Sequence, residues 1–164
     1  LLHREIIVKR RLLSALFLAG LSLSAVAGQY ACPDLAAARQ VNACPTEDEL
    51  KHTYSGFCSD DKKVYGGETD NCIRYPDYRA MKNNALWESA DGAFDAYVSC
   101  DLPKAKLQAM KATGMKVEKQ GTITKLVCSY PNGVRFTLRT KGACKVDDDK
   151  ACAANAAACR ATCD

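Results

Sequence analysis

Ten cysteines, at positions 32, 44, 58, 72, 100, 128, 144, 152, 159 and 163, are the residues of this 164-residue chain best able to do chemistry. Their spacing argues against a metal. No Cys-x-x-Cys pair is present to seat zinc or to form a dithiol redox centre; the tightest spacing is Cys159-x3-Cys163. His52 is the one histidine after residue 27 and would have to complete any mixed site. An even count of cysteines following an export signal instead favours up to five disulfides. Ten cysteines admit roughly 945 pairings, so the connectivity stays open.

The remaining reactive candidates fare no better. His52 would have to serve any Ser-His-Asp or Cys-His site, yet no Gly-x-Ser-x-Gly elbow accompanies it, and oxidised cysteines supply no thiolate. Glu88 and Asp95 straddle a predicted turn, but nothing in their spacing requires the carboxyl separation of a glycosidase. Gly66-Gly67 lacks the Lys-Ser/Thr of a phosphate loop. Asp147-Asp148-Asp149 lacks the alternating ligands of a calcium loop and suits a helix start. Tyr75, Tyr78 and Trp87 offer rings for stacking on a sugar, although a lone Trp in a small protein belongs first to the core. No catalytic residue, metal or cofactor follows from these residues.

Charge patterning is more informative. Residues 102–145 carry ten bases against Glu118 alone, whereas residues 44–101 carry twelve acids and six bases. Lys104, Lys111, Lys125, Arg135, Arg139 and Lys141 are the candidate contacts for an anionic partner. Residues 28–164 as a whole hold a net charge of +1, so a globally cationic nucleic-acid binder is not indicated. Asp95, on the outer face of a neighbouring predicted strand, is placed to neutralise part of the stripe.

These residues need elements to position them. Residues 33–43 read as a short Ala-rich helix. Thr46 with Glu49 forms a capping box that opens a helix of roughly 47–53. A short hairpin is expected over 54–66. Residues 66–83 read as a turn-rich loop that Cys58 and Cys72 are placed to staple. Ala90-Asp91-Gly92 separates two strands. In the second, Phe94, Ala96, Val98 and Cys100 alternate with Asp95, Tyr97 and Ser99. Asp101 and Pro103 suit the start of a helix over about 102–113, with Gly114 at its end. Pro131-Asn132-Gly133 joins the arms of a hairpin at 121–142. Setting Tyr130 opposite Val134 pairs Cys128 with Phe136, Leu126 with Leu138 and Thr124 with Thr140, and puts Lys125, Arg135, Arg139 and Lys141 on the other face. Residues 147–164 read as a helix carrying Cys152, Cys159 and Cys163 on one side.

A composition of 48% hydrophobic and 26% charged residues fits a globular chain and excludes global disorder. Residues 1–27 have the form of a cleaved bacterial signal peptide: a basic start (Arg4, Lys9, Arg10, Arg11), an apolar run from Leu12 to Leu23, and Ala25-Val26-Ala27 before the cut. The run is too short to span a bilayer. The expected organisation is therefore a leader at 1–27, a disulfide-rich α+β domain at 28–145, and a Cys/Ala-rich helix at 146–164 packed on it. The expected fold is a small antiparallel sheet of about four strands, meander-like, with peripheral helices.

Residues 44–142 resemble a small exported domain of unknown function found in Legionella-type gamma-proteobacteria. The resemblance lies in Cys44-Pro45 before a short helix, Trp87, Phe94-x-Ala96, and Leu126-Val127-Cys128-Ser129-Tyr130 leading into a hairpin that ends Leu138-Arg139. It implies a bridge between Cys44 and Cys128 and brings no activity with it. Together these readings describe an exported, periplasmic or secreted binding protein, in the manner of a secreted effector, with no catalytic role. It engages a protein, or an anionic glycan or lipid, outside the cytoplasm through its basic face. The alternatives are an inhibitor of a host hydrolase that inserts the 66–83 loop, and a small secreted hydrolase using His52 or a carboxylate pair.

Overall fold

The computed structural model describes residues 28–59, 72 and 74–164. The expected leader, the second half of the expected 54–66 hairpin and residues 66–71 and 73 of the expected loop lie outside the described residues. The chain forms an α+β fold of short helices and two antiparallel sheets. In chain order the elements are β1 (Gly28–Ala31), β2 (Arg39–Gln40), α1 (Glu47–Cys58), α2 (Tyr75–Lys82), β3 (Asn84–Glu88), β4 (Asp95–Ser99), α3 (Lys104–Gln108), β5 (Gly114–Gln120), β6 (Ile123–Ser129), β7 (Arg135–Thr140), β8 (Cys144–Val146), α4 (Asp149–Ala154) and β9 (Arg160–Cys163). The larger sheet has six strands in the order β2-β3-β4-β7-β6-β5, and the smaller has three in the order β1-β9-β8. The sheet is thus wider than the four strands expected, and a second one accompanies it.

The β6–β7 hairpin has the register that the side-chain alternation dictates: Cys128 opposite Phe136, Leu126 opposite Leu138, Thr124 opposite Thr140, and Lys125 opposite Arg139. Its turn depends on two left-handed residues, Asn132 at φ 59° and Gly133 at φ 74°, conformations that Asn and Gly tolerate best. The β3–β4 turn is tied by a buried hydroxyl: Ser89 Oγ donates to Asp91 and accepts from the Phe94 amide at 3.0 Å.

Alternation sends one face of the large sheet inward. Ala85, Trp87, Ala96, Val98, Met115, Leu126, Cys128, Phe136 and Leu138 meet Leu35, Leu107, Cys152, Cys159 and Ala161 in one buried cluster that draws on both sheets. Leu35, Leu107, Leu126 and Phe136 are each 0% exposed, and burial of such side chains stabilises by about 1.5–3 kcal/mol apiece.

All ten cysteines are paired, as Cys32–Cys128, Cys44–Cys100, Cys58–Cys72, Cys144–Cys163 and Cys152–Cys159. The bridge between Cys44 and Cys128 implied by the resemblance does not form. Cys128 faces inward toward the chain leaving β1, whereas Cys44 lies beside β3 and β4 and meets Cys100. The five bridges nest without crossing: 58–72 lies inside 44–100, which lies inside 32–128, and 152–159 lies inside 144–163.

Several local expectations yield to tertiary pairing. The helix expected at 33–43 shrinks to a 3-10 turn at Leu35–Ala37, because Cys32 is anchored to Cys128 and Arg39–Gln40 adds to the edge of β3. The helix from the Thr46 capping box runs on to Cys58, so the first arm of the expected 54–66 hairpin is helical. Part of the expected 66–83 loop is α2, whose Pro76 sits in the first turn and whose Tyr78 packs edge-on against Tyr54. The helix expected at 102–113 is only Lys104–Gln108. Asp101 does not cap it but accepts from Arg79 and Asn83, and Gly114 opens β5 instead of closing the helix. The C-terminal helix stops at Ala154. The short Cys152–Cys159 loop turns the chain into β9, which pairs with β1 and β8.

Candidate functional site

The outer face of the six-stranded sheet is built by the residues that the inward alternation leaves over. Successive strands contribute Glu88 from β3, Asp95 and Tyr97 from β4, Arg135 and Arg139 from β7, Lys125 from β6, and Lys116 and Glu118 from β5. Glu118, Lys125 and Arg139 stand directly opposite one another across three strands. Arg139 Nη1 lies 3.0 Å from both carboxylate oxygens of Asp95, an exposed pair that ties β7 to β4. Lys116 pairs with Glu118 two residues along the same strand. That hydrogen bond chiefly holds the Glu118 carboxyl below its ordinary value, and the fields of Lys116, Arg135 and Lys125 add to it. Arg135 and Lys125 make no ion pair among the described residues. Arg135 is exposed and Lys125 half-buried.

Three of the six candidate bases, Lys125, Arg135 and Arg139, are placed on this face, Lys125 opposite Arg139 and Arg135 four residues along β7 opposite Ser129. The other three are not. Lys141 is exposed in the turn after β7. Lys104 is exposed on α3, whose Leu107 enters the core from the covered side of the sheet. Lys111 pairs with Asp34 at 3.1 Å, and Asp34 also caps the turn at Leu35. Backbone capping first, and Lys111 second, hold that carboxyl below its ordinary range.

Tyr75, Tyr78 and Trp87 are the rings that the sequence offers for stacking on a sugar. Trp87 and Tyr78 are buried at 4% and 2% exposure. Tyr75 lies edge-on to Tyr54 and donates to Glu47 at 2.7 Å. Partial burial and that bond push its phenol up to about 12. The exposed ring is Tyr97, at 72% the most exposed large apolar side chain among the described residues. Its position was visible in the alternation of β4, where it falls between the inward Ala96 and Val98. Tyr97 stands opposite Leu86, whose carbonyl accepts from the amide of the exposed Val41. Extending the Asp95–Thr137 register by two residues sets Tyr97 opposite Arg135.

The catalytic alternatives gain little from this geometry. The His52 ring is exposed on α1 and makes no hydrogen bond or ion pair among the described residues. Glu88 and Asp95 are cross-strand neighbours, but Asp95 is engaged by Arg139 with 41% of its side chain exposed. Among the described residues no group of three or more His, Cys, Asp or Glu is placed to hold a metal ion. Asp148 caps α4 and Asp147 accepts from Thr162. No helix among the described residues is long and apolar enough to cross a membrane. Five disulfides are the chemistry of an oxidising compartment. Compared with protein-family models, curated proteins and solved structures, the chain matches none of them.

Proposed function

We propose that this is an exported binding protein, periplasmic or secreted, that takes an anionic partner on the open face of its six-stranded sheet and catalyses nothing. The observation that carries this reading is that Arg135 and Lys125, which share the outer face of the β6–β7 hairpin, form no ion pair among the described residues, on strands whose other face is locked into the core. Bases paired as Arg139 is with Asp95 contribute shape more than attraction. Arg135 and Lys125 remain to meet a phosphate, sulfate or carboxylate. A rigid sheet loses little conformational entropy on binding, and the core beneath it is cross-linked by Cys32–Cys128.

Retention on an immobilised polyanion tests it. The folded protein is expected to bind heparin resin at low ionic strength and to elute as salt screens the contact. Lys125→Ala/Arg135→Ala is expected to elute at markedly lower salt. Lys104→Ala/Lys141→Ala removes the same charge away from the face and is expected to elute with the parent. Equal retention of the first variant, or equal loss in both, sinks the proposal.

A further inference from the structure

The open face holds more than charge. Tyr97 projects from the middle of a paired strand with its ring 72% exposed and stands opposite Leu86, and the Asp95–Thr137 pairing continued by two residues brings Arg135 to its other side. Beside it, between the end of β4 and the hairpin turn, lies a cleft of about 290 Å³ lined by Tyr97, Ser99, Asp101, Leu102, Asn132 and Val134. That volume sits at the lower end of small-molecule sites, which run from about 300 to 1,000 Å³, and suits a single ring better than an extended chain. The cleft wall is mixed. Leu102 and Val134 are apolar, the Ser99 hydroxyl accepts from the Asp101 amide at 3.2 Å, and Asn132 stands at the turn tip. The Asp101 charge is already met by Arg79 at 3.0 Å and by Asn83.

We infer that the face binds an acidic glycan, with a sugar ring laid on Tyr97, its hydroxyls met by Ser99 and Asn132, and its sulfate or carboxylate on Arg135. The inference rests on the anionic reading above and narrows it to one partner class. A pyranose has an apolar C–H face that stacks on an aromatic ring, hydroxyls around its rim, and in acidic glycans one charge per residue or two. The sheet offers the complement of each. An anionic membrane fits the face less well. Polybasic attraction to a bilayer accumulates base by base near its surface, and Glu88, Asp95 and Glu118 on the same face oppose it.

The test uses the folded, oxidised protein with two probes: a heparin-derived tetrasaccharide, measured by calorimetry, and phosphatidylglycerol vesicles, measured by sedimentation. Tyr97→Ala is expected to weaken tetrasaccharide binding about tenfold or more, the equivalent of ~1.4 kcal/mol, and Tyr97→Phe to leave it close to the parent. Neither change should alter vesicle binding. Tyr97 packs outside the core, and unchanged near-ultraviolet circular dichroism will show that the variants fold. If Tyr97→Ala binds the tetrasaccharide as the parent does while Lys125→Ala/Arg135→Ala loses it, the glycan assignment fails and the anion site stands. Capture by vesicles without tetrasaccharide binding has the same meaning. Binding to neither probe overturns both.

Discussion

Cys128 is fully buried on the inner face of β6 and joins Cys32 across 96 residues of sequence, whereas Cys152 and Cys159 close a loop of only 7. In the chain-entropy view, the long bridge, its closed loop shortened by Cys44–Cys100 within it, restricts the unfolded chain by about 3.9 kcal/mol and the short one by about 2.4 kcal/mol. Urea denaturation of oxidised protein is therefore expected to show a larger loss for Cys32→Ala/Cys128→Ala than for Cys152→Ala/Cys159→Ala. The reverse order would mean that the C-terminal loop carries more of the fold than its length predicts. At this scale the sequence was partly transparent. That up to five disulfides form follows from the even count of cysteines, the export signal before them and the absence of Cys-x-x-Cys spacing. Which sulfur meets which depends on how the sheets stack, and no local signal reports that. The alternation of β4 marks Tyr97 as outward-facing, whereas ring type alone does not separate the buried Trp87 and Tyr78 from an exposed platform.

Elements held by a local rule were legible, and elements set by distant partners were not. The β6–β7 register followed from alternation and the Pro-Asn-Gly turn. The α1 start followed from Thr46, whose hydroxyl accepts from the Glu49 amide at 3.2 Å while Glu49 accepts from the Thr46 amide at 2.7 Å. By contrast, residues 33–43, 114–120 and 160–163 carry weak or helical preferences. They become turn or strand because neighbouring strands offer backbone partners, and disulfides anchor the first and last of these segments: the Thr113 amide donates to the Ser129 carbonyl at 2.8 Å where helix was expected. The hairpin turn gives a direct check. Gly133→Ala forces a β-carbon into a left-handed conformation, at a cost of about 1–2 kcal/mol. A lower denaturation midpoint is expected, with Arg135 and Lys125 still on one face and polyanion retention preserved. A destabilised hairpin that also lost retention would show that the turn, more than the strands, sets the register.

The whole molecule is held by acids as well as by sulfur. Asp34, Glu47, Glu49, Asp91, Asp101 and Glu118 all lie below their ordinary values of 3.8 for Asp and 4.5 for Glu, each through hydrogen bonds to backbone, hydroxyl or cationic groups. Depressed carboxyls favour the folded state above those ordinary values. As pH falls through them and into the lower folded-state range, the unfolded chain takes up more protons and the advantage drains away. These groups are exposed, or half-buried in the case of Glu118, so each adds little. The urea midpoint is nonetheless expected to be lower at pH 3 than at pH 7, and an unchanged midpoint would show that the disulfides and core dominate.

The nested bridges bear on how the protein is made. A chain oxidised strictly in order of emergence would join 32 to 44, 58 to 72, 100 to 128, 144 to 152 and 159 to 163, and of these only 58–72 is native. Four first-formed links would have to be undone by thiol exchange before the outer loops close around the inner ones. Yield in any host should accordingly follow its disulfide isomerase more closely than its oxidase.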